Sequence, residues 1–290
     1  MNRCVLVALA DLHSGHKLGL CNPDTILWGE DQAGEPVADH PSLSRFQEYT
    51  WEYAQLLTHQ AAAFADGDPI TIVHNGDLTH GSRYGEGLAY NTVDDQTQIG
   101  YHNLKPWFAL PNVCAGRLVL GTAVHTFDGS SEAIITRHLR AQFPDCDIRT
   151  ISHSLLTVGG VSFDIAHHGP SPGSKNWTTG NPLRSYLQDL ILCELHANRT
   201  PPRVVMRAHY HQWIPHETAS RWFQGEIYST AGVLLPSMCG LTAHGRQATK
   251  STHMLTLGCV CFEMIDGELA RIKPLVRHLD LRTKERIGDG

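Results

Sequence analysis

Short apolar runs alternate along the chain with polar loops and with stretches of helical periodicity. Apolar runs bounded by Gly, Pro, Asn or Asp are typical of buried strands, and they occur at residues 4–10, 70–74, 117–120 and 203–208. Between the first two runs, residues 44–65 place aromatic and leucine side chains at helical spacing, and Gly67 is expected to end that helix. The alternation of strands and helices predicts an α/β fold.

Turn residues predict two hairpins. Gly159-Gly160 separates two apolar runs, and Asp266-Gly267 separates residues 254–265 from residues 269–276. Two-residue turns of this composition are typical of tight β-hairpins. Each pair of runs is therefore expected to form adjacent antiparallel strands.

Other segments predict helices and loops. Residues 131–143 predict a helix with Ser130 or Ser131 as its cap, and Asn181-Pro182 supplies the cap and first turn of another. Residues 23–42, rich in Pro, Gly and Asp, predict a long surface loop, and the helix-like stretch after residues 81–91 is expected to break near Pro106. Neither a repeat nor a linker-like segment is seen, so we expect a single domain over residues 1–290.

Composition narrows the function classes. The 290 residues are 41% hydrophobic, which is enough for a sizeable core and excludes a disordered chain. The formal net charge is −6 and there is no run of Lys or Arg, so a broad nucleic-acid groove held by charge alone is not expected. A small anionic ligand held by metal ions remains compatible with this charge.

The chain gives no sign of a membrane or an oxidising compartment. Apolar stretches fall short of the roughly 20 residues that a membrane-spanning helix needs, and the N-terminal run continues into Asp11 without a convincing cleavage site. The eight Cys are scattered without a CxxC pair. Free thiols and a cytoplasmic location are therefore expected, with no membrane partner.

Five short clusters place metal-binding side chains directly after apolar runs. They are Asp11-Leu12-His13, residues 75–81 with Asp77 and His80, residues 121–125 with Thr122 and His125, His167-His168, and His209-Tyr210-His211. In extended backbone, residues two apart point to the same side, so both members of a D-x-H or H-x-H pair can reach one ion. Carboxylate and imidazole groups suit divalent ions such as Zn, Fe or Mn. Asp77 is the natural bridge between two ions.

These clusters, in this order, resemble the calcineurin-like metallophosphoesterase superfamily. The family pattern is D-x-H, then G-D, then G-N-H-D/E, then a His, then G-H-x-H. The matching residues lie between positions 11 and 211 and are Asp11, His13, Gly76, Asp77, His167 or His168, His209 and His211. The resemblance implies a four-layer α/β/β/α sandwich with two mixed sheets. It also implies two divalent ions (Mn, Fe, Zn or Ni, with Mn favoured).

The resemblance implies a role for each matching residue. Asp11, His13, Asp77 and His211 would hold the first ion. The second would be held by Asp77, His209 and one of His167 and His168, with His167 favoured by versions of the motif that read His-His-Pro. A hydroxide bridging the two ions would attack a phosphodiester or phosphomonoester, with nucleotides or nucleic-acid ends the favoured substrates.

This sequence departs from the family at two places. Ala208 stands where the family has Gly before H-x-H, and the G-N-H segment is replaced by residues 121–125. Either Thr122 takes the place of the missing Asn, or His125 acts as a ligand or as the catalytic acid. This substitution keeps open a non-catalytic scaffold protein on the same fold. A mononuclear zinc hydrolase is a further alternative, although HExxH is absent.

Candidate substrate contacts are few. Thr122 and His80 lie within the metal-binding clusters, and Lys175 and Arg184 lie in or near loops rich in Gly, Ser, Thr and Asn. A basic side chain there would pair with phosphate oxygens. The oligomeric state is left open by the sequence.

Overall fold

The computed structural model describes residues 2–31, 33–173, 176–241 and 254–285. Within these ranges the fold is mixed α/β, as predicted. The elements in chain order are β1 (Arg3–Leu9), β2 (Leu27–Glu30), β3 (Pro36–Asp39), α1 (Arg45–Ala65), β4 (Ile70–His74), α2 (Val93–Phe108), β5 (Val113–Val119), α3 (Ser130–Gln142), β6 (Asp147–Ile151), β7 (Ser154–Val158), β8 (Val161–Ile165), α4 (Asn181–His196), β9 (Val204–Arg207), β10 (Ile214–Phe223), β11 (Glu226–Leu234), β12 (Met254–Ile265) and β13 (Glu268–Asp280).

The described strands form two large sheets and a small hairpin. The first sheet has the order β13-β12-β1-β4-β5-β6, with β1, β4, β5 and β6 parallel. The second has the order β10-β11-β9-β8-β7, with β11, β9 and β8 parallel. Parallel strands end at the same edge of a sheet, so loops after β1, β4 and β5 lie side by side, as do those after β8 and β9.

Three clusters of buried side chains hold these elements together. The first joins one face of the six-stranded sheet to α1, α2 and α3. The second contains residues of both sheets, including Phe163 of β8 and Phe262 of β12, whose rings meet edge to face at 5.5 Å. The third joins α4 to the other face of the five-stranded sheet through Leu183, Leu187, Ile191 and Leu195. Burial of apolar surface on this scale is the main stabilising term of such a fold.

Local sequence signals explain where α1 begins and ends. Ser44 accepts a hydrogen bond from the backbone of Gln47, whose side chain accepts from the Ser44 backbone, so the first turn has a complete capping box. At the other end Asp66 and Gly67 both have left-handed backbone. The helix therefore stops at Ala65, close to the predicted end.

Several sequence predictions were wrong in detail. Residues 23–42 contain the hairpin of β2 and β3. Helix α2 runs through Pro106 to Phe108. Helix α3 is preceded by Gly129 rather than by a capping serine.

The hairpins at Gly159-Gly160 and Asp266-Gly267 are confirmed. In the described part of the chain, no helix is both long and apolar enough to cross a membrane.

Candidate metal centre

The predicted metal-binding residues follow the carboxyl ends of five parallel strands. Those of β1, β4 and β5 belong to one sheet, and those of β8 and β9 to the other. Hydrogen bonding between β1 and β4 continues into the loops that follow them. Asp11 N–H donates to Gly76 O at 3.0 Å, and His13 N–H donates to Asp77 O at 3.0 Å. The backbone thereby fixes the D-x-H loop beside the G-D loop.

The backbone of these loops is left-handed rather than extended. Asp11, His13, Asp77, His209 and His211 all have φ between 46° and 78°. The expectation that D-x-H and H-x-H act as extended segments was therefore wrong in mechanism, although both members of each pair still face the same site. Non-glycine residues in this conformation carry strain that concentrates at functional sites.

Asp77 lies at the centre of the assembled side chains. Its Oδ2 atom is 3.0 Å from His167 Nε2, 4.0 Å from His209 Nδ1 and 4.0 Å from His13 Nε2. The carboxyl group is almost fully buried, with 1% of the residue exposed. One carboxylate oxygen thus faces histidines that come from both sheets.

One set of ligands lies between β1 and β9. His13 Nε2 is 2.9 Å from His211 Nε2, and His211 Nε2 is 3.5 Å from Asp11 Oδ1. The ligand atoms of Asp11, His13 and His211 all lie within 4.8 Å of one another, as a single bound cation would require. Asp11 is also held in place by the His209 N–H, 3.4 Å from its Oδ2.

A second set lies on the other side of Asp77. His167, His168 and His209 have ligand atoms within 4.8 Å of one another, and so do Asp11, Asp77 and His167. His167 is buried whereas His168 is exposed. His167 Nδ1 donates to Asn75 O at 2.7 Å, which leaves Nε2 directed at Asp77.

Thr122 borders the second set. Its backbone N–H donates to Asp77 Oδ1 at 2.6 Å, and its hydroxyl is 3.3 Å from Asp77 Oδ2 and 3.2 Å from His209 Nδ1. The hydroxyl oxygen is therefore placed beside both Asp77 and His209. His125 lies next to the first set, with its ring 4.7 Å from that of His13.

The electrostatics keep Asp77 ionised. Burial raises the pKa of its carboxyl, but hydrogen bonds from His167 and His209 and the charge of His167 outweigh this and hold the pKa well below its usual range. Burial lowers the pKa of His167, yet Asp77 reverses this and raises it to about 9. Burial and the neighbouring His211 lower the pKa of His13, so that this ring is neutral and able to ligate.

The donor set fits divalent cations. Asp11 Oδ1 and His167 Nε2 are buried, and each faces another candidate ligand: His211 Nε2 lies 3.5 Å from the first, and Asp77 Oδ2 lies 3.0 Å from the second. A cation bound between these groups would replace their direct contacts. Mixed imidazole and carboxylate ligands supply sites for Zn, Fe or Mn. The site accordingly groups side chains that could hold metal ions around Asp77.

His80 lies deeper than its predicted substrate contact requires. It is 6% exposed, and its Nδ1 is 3.2 Å from His13 Nδ1. Burial lowers its pKa to about 3. Its role in binding substrate stays a prediction.

Within the described residues, no hydrogen bond or ion pair joins a predicted basic residue to the candidate metal ligands. Arg184, near the start of α4, forms an ion pair with Glu217 at 2.6 Å and its side chain is half exposed. Lys175 lies outside the described residues. Anion binding by either residue stays a prediction.

Sequence reasoning missed two contributors. His16 packs its ring 4.5 Å from that of His80, and Asn75 supplies the carbonyl that orients His167. Both lie next to matched motif residues, and His16 follows Gly15 in a polar loop. Position near a motif was the available signal, since a backbone carbonyl leaves no mark in the sequence.

Comparison with known proteins adds little. No protein-family model matches the chain, and no curated protein matches it. Among solved structures, the chain is similar to the crystal structure of TT1561 of Thermus thermophilus, with 10% sequence identity, coverage of 96% of this chain and 99% of that chain, and a TM-score of 0.39. That score is too low to establish a common fold, so the geometry of the centre is the basis for its interpretation.

Proposed function

We propose that the protein is a two-cation metallophosphoesterase that hydrolyses a phosphodiester or phosphomonoester, with nucleotides or nucleic-acid ends as the favoured substrates. The observation that carries the proposal is Asp77. Its Oδ2 atom lies within 4.0 Å of nitrogens from His13, His167 and His209, so that it stands between two ligand sets. A carboxylate in this position would be shared by two cations, and a pair of cations would be suited to holding phosphate oxygens.

The proposal includes the fold of the resembling family. A four-layer α/β/β/α arrangement in one domain is supported by the three apolar clusters, which join helices α1–α3, the two sheets and α4 in that succession. In such an arrangement the loops after β1, β4, β5, β8 and β9 face one another across the top of the two sheets. This brings ligands from both sheets to a shared centre.

Under this proposal, side chains of the protein bind the cations, orient Asp77 and supply a proton to the leaving group. Asp11, His13, Asp77 and His211 would hold one cation, and Asp77, His167 and His209 the other, with Mn favoured. Bound cations would lower the pKa of a water molecule and neutralise charge on phosphate. Thr122 orients Asp77 through its backbone N–H. His125 donates its Nδ1 proton to His80 O, which leaves Nε2 free to carry a proton to the leaving oxygen.

The test combines metal analysis with hydrolysis of a bis-aryl phosphate. We expect two equivalents of Mn per chain and turnover that depends on them. Asp77→Asn is expected to lower turnover by about 10³-fold, equivalent to about 4 kcal/mol of barrier, because both cations lose a ligand. Asp189→Asn, which changes an exposed aspartate of α4, is the matched control and is expected to keep full activity.

Two results would count against the proposal. Full turnover by Asp77→Asn with intact metal content would remove the bridging role. Two bound equivalents of Mn without hydrolysis of any phosphate ester would favour a non-catalytic binding protein instead.

A further inference from the structure

Beside the proposed two-cation centre, His13 and two further histidines form a second cluster of ring nitrogens. His13, His80 and His125 each offer one ring nitrogen, and these nitrogens lie within 4.8 Å of one another. His13 and His80 are buried, and the ring of His125 is 4.7 Å from that of His13 and 5.1 Å from that of His80. We propose that these three residues form a third cation position, selective for Zn-like ions over Mn.

Spacing supports this assignment. The Nδ1 atoms of His13 and His80 are 3.2 Å apart. Two imidazole nitrogens bound to one tetrahedral Zn at about 2.0–2.1 Å each lie about 3.3 Å apart. A fourth position would be left for water or a substrate oxygen, as in open zinc sites.

Hydrogen bonding leaves the required lone pairs free. His125 Nδ1 donates to His80 O at 2.5 Å, so the lone pair of its Nε2 is available. His80 faces His13 through Nδ1, so a cation here would bind that nitrogen while the ring proton stays on Nε2.

The neighbouring His16 shows the contrast. Its Nδ1 accepts from the Leu18 N–H at 3.1 Å, and its Nε2 lies 3.2 Å from Glu86 O. Both ring nitrogens are thereby used by the backbone. His16 packs against His80 yet is excluded as a ligand, which makes it a natural control.

The ligand type predicts which cation binds. The central site contains carboxylates and therefore accepts Mn as well as Zn, whereas imidazole nitrogens alone favour Zn, Cu or Ni. His13 would contribute Nδ1 here and Nε2 to the central site. With both positions filled, its ring would release its remaining N–H proton to solvent and link the two cations as an imidazolate. The simpler alternative is that His13 donates its Nδ1 proton to His80 and no third cation binds.

A cation in the third position would inhibit hydrolysis. This part rests on the proposed function, because it assigns His125 as the proton donor. Nε2 of His125 cannot carry a proton and a cation together. Turnover is therefore expected to rise with the first two equivalents of Zn and to fall by about 10²-fold with the third, the usual contribution of general acid catalysis.

The experiment titrates metal-free, tag-free protein with Zn against a chromophoric chelator, and repeats the titration with Co to read ligand-field absorption. Wild type and His16→Gln are expected to bind three equivalents. His80→Asn and His125→Ala are expected to bind two, and to lose an intense tetrahedral Co band that wild type gains with the third equivalent. With Mn, every one of these proteins is expected to bind two.

Separate outcomes overturn the two proposals. Two equivalents of Zn in wild type, or a third retained in both His80→Asn and His125→Ala, would refute the third position and favour the hydrogen-bond alternative. Three equivalents without turnover at any loading would leave the third position standing and refute the proposed function. If His80→Asn also lost turnover when a third equivalent of Zn was added, the inhibition could not come from a cation held by His80 and His125. That result would refute the inhibitory part of the proposal.

Discussion

At the residue scale, the site depends on backbone conformations that side-chain motifs do not specify. Asp11, His13, Asp77, His209 and His211 are all left-handed. This conformation costs each non-glycine residue of the order of 1–3 kcal/mol, which the surrounding structure must offset. Here the offset comes from loop-to-loop hydrogen bonds and from packing of both sheets around the site.

Close packing at Gly121 gives a residue-scale prediction. A Cβ atom there would lie 2.2 Å from both the backbone nitrogen and Oδ1 of Asp77. Gly121→Ala is therefore expected to displace Asp77 and weaken Mn binding by about tenfold or more, as for other changes that disturb ligand orientation. Isothermal titration with Mn measures this, and Gly85→Ala, whose added Cβ has no atom of the described structure within 4 Å, is the matched control. Equal Mn affinity in both variants would show that Asp77 does not need this contact.

At the scale of elements, the sequence predicted the strands that carry the site and missed several that do not. A buried strand such as β4 was predicted with correct bounds, because all its residues are buried and the apolar run is continuous. The exposed β3 gives no apolar pattern at all.

Pro106 shows a different limit of sequence reasoning. It has no N–H to donate to the carbonyl of His102, but the Asn22 side chain donates to that oxygen at 2.9 Å. The helix therefore continues through the proline because of a residue at position 22, far away in the chain. No local pattern contains that information.

The buried Glu132 of α3 gives a prediction at this scale. Burial raises its pKa to about 7, from 4.5. The folded state thus binds more protons than the unfolded state between these values, so ionisation destabilises the fold as pH rises and the loss levels off above pH 7. Glu132→Gln is expected to gain about 2 kcal/mol relative to wild type between about pH 5 and pH 8.

Denaturant unfolding at the two pH values measures this difference. Glu268→Gln, at an exposed position of β13, is the control and is expected to show no such change. A pH-independent difference between Glu132→Gln and wild type would mean that Glu132 is not the titrating group.

At the scale of the whole molecule, the site joins two sheets. Its ligands come from loops of both, so bound cations would cross-link parts of the chain that are otherwise held by apolar packing. The D-x-H, G-D and H-x-H motifs predicted which residues come together, since they mark strand ends. The replacement of G-N-H was resolved only in part, because sequence spacing does not reveal that Thr122 rather than His125 contacts Asp77.

Cation removal is expected to lower global stability. A cation at about 100 times its dissociation constant stabilises the folded state by about 2.7 kcal/mol, which raises Tm by about 4 °C for a chain of this size. Thermal unfolding with Mn and with chelator measures the shift. Asp77→Asn is expected to lose most of it, and an unchanged Tm in wild type would show that Mn does not bind the folded chain.

The most direct test of the two-cation centre is a crystal structure of the Mn-loaded protein with anomalous diffraction data. Two anomalous peaks are expected, about 3.5–4 Å apart, with Asp77 between them. His13 and His211 would flank one peak, and His167 and His209 the other. A single peak, or peaks remote from Asp77, would contradict the account.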